Sequence, residues 1–274
     1  MTVVIPDLPE RAAAASLRLR DEFLAILGDD LIGMWLFGGT TFADRPRRPG
    51  DLDIAVVVGV ARANERIPQK WRDDPSSRPA RLFAVEEKLG RELDVKLDIA
   101  YFLASEIGSG ALPPEAFRIE RPVNGWAVLR AHWLARQYVH LHGRPPDDLV
   151  VAPTSSELER DLDRELEHLE RHVHEGDAVD PYEATYAVWN GCRILHTLET
   201  GNPVISKRSA GTWALQHLPE RWYDAIHAAG RAYDGAASEA DNELLRVNMA
   251  PFIEMVRMRV PVTEERPPGP PRWS

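Results

Sequence analysis

Apolar and polar positions alternate along the chain in two different rhythms, and the change of rhythm divides it. From about Glu10 to Leu27 the apolar residues Leu17, Leu19, Phe23 and Leu27 predict an amphipathic helix. "LIGMWLFGG", residues 31–39, is a nearly unbroken apolar run that closes on two glycines and predicts a buried strand. "DLDIAVVVGV" (51–60) predicts a second strand, "ARLFAVEEKLGREL" (80–93) a helix and "DVKLDIAYFLA" (94–104) a third strand. Helix, strand, turn, strand, helix, strand make a small α/β unit. From Trp126 the strand signals fade. "WAVLRAHWLARQYVHLHG" predicts a helix that closes at Gly143, and "RPPDDLVVAPTSS" a linker. In the next segment Leu158, Leu162, Leu166, Leu169 and Val173 recur every three or four residues, one apolar stripe. Ser156 and Glu159 are spaced as a capping box for that helix. A further helix opens at "DPYE", with Asp180 as cap and Pro181 in the first turn, and ends before Gly201. Two more are expected around "AGTWALQHL" and "RWYDAIHAAGRAY". The expected division is an α/β domain over 1–150, a helical domain over 151–262 and a proline-rich tail, expected to be disordered, over 263–274.

Composition narrows the class. The 274 residues suit one large domain or two ordinary ones, and 44% hydrophobic with 28% charged residues is a globular balance. No apolar run approaches the roughly 20 residues that span a bilayer. "MTVVIPDLPERAAAAS" lacks the basic and apolar regions of a secretory leader, and the single cysteine, Cys192, has no partner for an internal disulfide. A cytoplasmic monomer without membrane or nucleic-acid partners is therefore expected. The net charge of −10 weighs against nucleic acid, which calls for a basic stripe. It suits a cationic ligand, although acidity also serves solubility alone.

The chemistry concentrates in "LFGGTTFADRPRRPGDLDIAVVV", residues 36–58. Strands tolerate aspartate poorly, yet the second strand opens with Asp51 and Asp53. Alternation puts both side chains on one face. Carboxylates that close resist joint ionisation, so a cation is expected between them. Mg²⁺ prefers oxygen ligands and is held by one or two carboxylates together with substrate phosphates. The preceding Gly38-Gly39-Thr40-Thr41 turn has the small residues and hydroxyls that let a backbone approach a phosphate. The pair predicts a nucleoside triphosphate at the turn with its metal at the aspartates. "HLERHVH", with His168, His172 and His174, offers a second conceivable metal set, but interleaved glutamates and the lack of nearby cysteine favour a solvated face. Trp189 and Trp213 are expected in the core.

"GGT" followed after a loop by "DLD" resembles the signature of the DNA polymerase β-like nucleotidyltransferase superfamily. "CRILHTLETGNPVISKRSAGTWALQHLP" with the later "RAY" resembles the C-terminal domain of aminoglycoside adenylyltransferases of the streptomycin/spectinomycin type. The resemblance implies an α+β fold: an N-terminal polymerase-β-like nucleotidyltransferase domain and a C-terminal α-helical bundle. It implies Gly39 and Thr40 at the nucleotide, Asp51 and Asp53 at two Mg²⁺ ions, and ATP as co-substrate. Arg193 and Lys207 match the arginine and lysine that contact the phosphates, and Tyr233 a tyrosine at the nucleotide. A third carboxylate belongs on the next core strand, where "VKLDIAYF" supplies Asp98, with Asp94 as a rival on the same face. The family carries glutamate at this place, so Asp98 stands either as general base for the acceptor hydroxyl or as a metal ligand. Glu183, with Asp180 close by, corresponds to acidic residues that bind a cationic acceptor. The family's drug-binding tryptophan has no secure match, and Trp126 is not assigned that role. The implied reaction is transfer of AMP to an aminoglycoside hydroxyl with release of pyrophosphate. A protein or other small-molecule acceptor, or nucleotide binding without catalysis, stays open.

Overall fold

In the computed structural model, residues 8–45, 51–60, 65, 73–111, 117, 125–174 and 181–260 are described. The chain forms two units. One runs to Ser155 and includes Pro203–Ser209; the other takes Ser156–Asn202 and the chain from Ala210. The return of 203–209 to the first unit is something a single cut in the sequence does not express. The expected tail over 263–274 lies outside the described residues.

The first unit is built on a four-stranded sheet of order β3-β2-β1-β4. β1 (Leu31–Phe37) pairs antiparallel with β2 (Asp51–Val58) and with β4 (Val139–Gly143), and β2 pairs parallel with β3 (Lys96–Leu103). The parallel pair needs a crossover, supplied by helix α2 (Arg78–Leu93). Ser77 caps α2 by accepting the Ala80 N–H, Pro79 lies in its first turn, and Asp94 ends it in a left-handed conformation (φ 52°). Helix α1 (Glu10–Leu27) spans the predicted range. It buries Ala12, Ala15, Leu19, Phe23 and Leu27, while Leu17 is only half-buried.

Both faces of the sheet are covered. α1 and α2 pack Leu19, Phe23, Leu82 and Leu89 against Met34, Leu36, Leu52, Ile54 and Val56. The other face carries Trp35, Ala55, Val57 and Phe102 under Trp126 and Trp133 of helix α3 (Trp126–Leu134). Trp126 is thus a core aromatic, its ring 5.4 Å from that of Phe102 and 5.7 Å from that of Trp133. This double burial explains why β1 and β2 read as continuous apolar runs.

Two expectations are corrected here. The predicted helix to Gly143 stops at Leu134. Arg136 adopts a left-handed φ of 64°, and the chain re-enters as β4, where Val139 and Leu141 alternate with His140 and His142. The free edge of β1 requires partners for its backbone groups, and this alternation suits a strand that supplies them. The expected linker after it is partly core, since Leu149 and Val150 are buried in the aromatic layer.

The second unit is helical: α4 (Ser155–His174), α5 (Pro181–Thr200), most of α6 (Lys207–His217), α7 (Tyr223–Tyr233) and α8 (Glu239–Arg257). α4 begins one residue before Ser156, which lies in its first turn instead of at its cap. α5, α7 and α8 pack mutually. Trp189 is buried at their centre, its indole N–H donating to Ala229 O at 3.2 Å. Trp213 is half-buried, stacked on His217 at 4.6 Å. α8 has no counterpart among the sequence expectations. It starts on a Ser238–Asp241 capping box and contains Pro251, an ordinary helix breaker. Burial of Leu245, Met249, Phe252, Ile253 and Val256 outweighs that defect, and Arg257 ties α8 to Glu170 and Asp163 of α4.

Candidate active site

Register brings the three carboxylates together. β2 and β3 pair Asp53 with Asp98 and Asp51 with Lys96. Paired residues of neighbouring strands point to one face, so Asp51, Asp53, Asp98 and Lys96 all lie on the face that further along carries Ala55, Val57 and Phe102. The aromatic layer covers the middle of that face and leaves the first pleats to the acids. Each aspartate is half-buried, and one oxygen from each lies within 4.8 Å of the others. Asp94 takes no part; it is the C-cap of α2. Lys96 Nζ lies 3.6 Å from Asp51 Oδ2.

The glycine turn shapes the other wall. Gly38 has φ 74° and ψ −158°, a region that L side chains avoid. A Cβ there would meet Asp53 Oδ2 at 1.8 Å. Gly38 therefore provides both the turn and the space for the central carboxylate. Gly39–Thr41 form a single 3₁₀ turn. The buried Thr40 donates its hydroxyl to Asp51 O at 3.1 Å, fixing the turn to the start of β2. Thr41 donates to Gly38 O at 2.8 Å, and Gln137 Nε2 donates to Thr41 O at 2.8 Å. The Thr40 hydroxyl proton is thus committed to the protein's own backbone.

The electrostatics follow from this crowding. Burial, then Asp51, then Asp98 push Asp53 from its ordinary value to about 7, and Lys207 and Lys96 oppose them. Lys207 opens α6 within the 203–209 segment, so it belongs to the same unit as the acids. Three hard oxygen donors, one of them kept partly protonated by burial and by the repulsion of the other two, fit a divalent cation. Among the described residues this is the group of acids, histidines or cysteines placed to share a metal.

The remaining predicted site residues lie in the helical unit. Arg193 stands on α5 and donates from Nη1 to Asn190 Oδ1 at 3.4 Å. Tyr233 ends α7, its ring 6.0 Å from that of Trp189. Glu183 is exposed in the first turn of α5. Asp180 lies outside the described residues, as do the side chains of His172 and His174; the His168 ring meets the edge of Tyr186. Sequence reasoning did not single out Lys96, nor the steric duty of Gly38. Lys96 could have been found from its spacing of two from Asp98, but only once the β2–β3 register is known.

Residues 157–257 match the family model described as "Aminoglycoside adenylyltransferase, C-terminal domain". Among solved structures, the spectinomycin adenyltransferase AAD(9) from Enterococcus faecialis, crystallised with ATP and spectinomycin, is similar with a TM-score of 0.65 and 19% identity. The match covers 90% of this chain and 98% of that one. No curated protein matches the sequence. Residues 157–257 are thus similar to the C-terminal domain of aminoglycoside adenylyltransferases, and along nine-tenths of its length the chain shares the fold of a spectinomycin adenyltransferase.

Proposed function

We propose that the chain is a metal-dependent nucleotidyltransferase that moves AMP from ATP to a hydroxyl of an aminoglycoside-type acceptor and releases pyrophosphate. The observation that carries this reading is the Asp51–Asp53–Asp98 cluster beside the Gly38 turn, in a chain whose residues 157–257 match the adenylyltransferase C-terminal domain model. In this reading Asp51, Asp53 and Asp98 hold Mg²⁺, two ions by the family resemblance. Bound there, Mg²⁺ would supply charge neutralisation and polarise the phosphate and acceptor oxygens.

The chain's own residues do the rest. The turn at Gly38–Thr41 sets the polyphosphate against β2, with main-chain N–H groups of Gly39 and Thr40 as donors, because the Thr40 hydroxyl serves Asp51. Lys207 adds a positive charge beside the acids and stabilises the departing pyrophosphate. By the same resemblance Arg193 contacts the phosphates and Tyr233 lies at the nucleotide. The acceptor oxygen attacks the α-phosphorus, the bond to the bridging oxygen breaks, and pyrophosphate leaves. Asp98 has two parts open to it, taking the hydroxyl proton and completing the metal site. Its place in register with Asp53 favours the second. Glu183 and Asp180 offer carboxylates to the acceptor's ammonium groups.

The test is pyrophosphate release from ATP and Mg²⁺ with streptomycin, spectinomycin, kanamycin and a lincosamide, using Asp51→Asn as control. Release with an aminoglycoside or spectinomycin that the control lacks supports the reading. ATP binding with no release for any of them overturns the antibiotic acceptor and points to a protein or another metabolite.

A further inference from the structure

The segment carrying Lys207 is fastened to the first unit by one carboxylate distant in sequence. Asp44 follows the glycine turn by a few residues. Its Oδ2 accepts the Ser206 hydroxyl at 2.5 Å and the Ser209 hydroxyl at 2.7 Å, and its backbone carbonyl accepts Arg208 Nε at 3.1 Å. Ser206 Oγ in turn accepts the Ser209 N–H at 2.9 Å, so the residue that caps α6 is itself held by Asp44. A second fastening lies upstream, where His132 Nε2 meets Pro203 O at 3.0 Å; the His132 ring is packed edge-on to Phe42. Three of the four residues from Ser206 to Ser209 therefore bond to Asp44. The fourth is Lys207.

We propose that Asp44 is a positioning residue for Lys207: it locks the first turn of α6 onto the loop after Gly38–Thr41 and so fixes where the ammonium stands relative to the turn and the acids. This rests on the proposed nucleotide site, since it takes Lys207 to act on the triphosphate. The physical basis is the geometry of the clamp. A lysine is a point charge on a flexible stem, so its effect depends on where its backbone is anchored. One acidic oxygen shared by two hydroxyls gives short, charge-assisted bonds that fix that anchor. The same loop follows directly on the glycine turn, which couples the lysine to that turn.

The experiment is a double-mutant cycle on the full-length protein, reading affinity for a fluorescent ATP analogue with Mg²⁺ and, separately, KM for ATP against kcat. Lys207→Ala is expected to weaken nucleotide binding about tenfold, and Asp44→Ala about fivefold, with KM for ATP changing more than the acceptor's KM. Added to Lys207→Ala, Asp44→Ala is expected to cost nothing further. Asp44→Asn keeps an oxygen for the two hydroxyls and should restore binding to within about threefold of wild type. Additive losses, or a normal affinity in Asp44→Ala, would overturn the positioning role. So would a Lys207→Ala protein that binds as well as wild type. If Asp44→Ala does not fold, Ser209→Ala, which removes one of the two hydroxyls, takes its place in the cycle with the same criterion. Failure of the wild-type protein to bind the nucleotide at all would instead bring down the nucleotide site itself, so the two failures are distinguishable.

Discussion

Asp53 pays for its position in a way that pH reveals. Its pKa is raised from 3.8 to about 7, so between those values the native state keeps a proton that the unfolded chain has lost. Stability from this group is therefore present at low pH and declines as pH rises towards 7, then levels off. In metal-free protein Asp53→Asn should be more stable than wild type at pH 8 by about 1–2 kcal/mol, a figure reduced from the full shift because the side chain is only half-buried. The gap should narrow at pH 5, as chemical denaturation in EDTA would show. Because a metal must displace that proton, wild-type affinity for Mg²⁺ or Mn²⁺ should climb between pH 6 and 7 and flatten above, and Asp53→Asn should lose the dependence. Gly38→Ala tests the opposite wall. The new methyl meets the Asp53 carboxylate in a conformation alanine avoids, and a loss of about 2–4 kcal/mol together with most of the activity is expected by thermal unfolding and pyrophosphate release.

Elements differ in how far they were legible. β1, β2, β3 and α1 declared themselves because both faces of the sheet are buried, which leaves long apolar runs, and because aspartate in such a run is conspicuous. β4 hid behind α3: its alternation is only five residues long, and the turn at Arg136 depends on a left-handed backbone at a residue without that habit. α8 hid behind Pro251, whose local cost is offset by packing that sequence does not display. The acids were legible, and their common face followed from alternation. The clamp from Asp44 to Ser206 and Ser209 was not, since it joins residues more than 160 positions apart. Two substitutions test the packing claims. Pro251→Ala should raise the melting temperature, because the residue is exposed and the helix regains a backbone hydrogen bond, worth about 1 kcal/mol or more. Gly211→Ala should lower stability by about 1–3 kcal/mol, since its methyl would meet Trp189 Cζ3 at 1.7 Å and α6 could no longer lie against that ring.

At the scale of the molecule, the division of labour follows the two units. The unit with the sheet holds the acids, the glycine turn and Lys207, and the helical unit carries the matched region together with Arg193, Tyr233 and Glu183, the residues proposed to meet nucleotide and acceptor. No helix among the described residues is long and apolar enough to cross a membrane. The net charge of −10 agrees with a cationic acceptor, and raised salt should weaken acceptor binding by screening that attraction, seen as a KM for the acceptor that rises with ionic strength. The most direct measurement of the central claim is phosphorus NMR of ATP and Mg²⁺ turned over with spectinomycin or streptomycin, wild type beside Asp51→Asn. The account predicts pyrophosphate and a phosphodiester-linked AMP on the acceptor from wild type, and neither from the variant. ADP with a phosphorylated acceptor, or equal product from the variant, would contradict it.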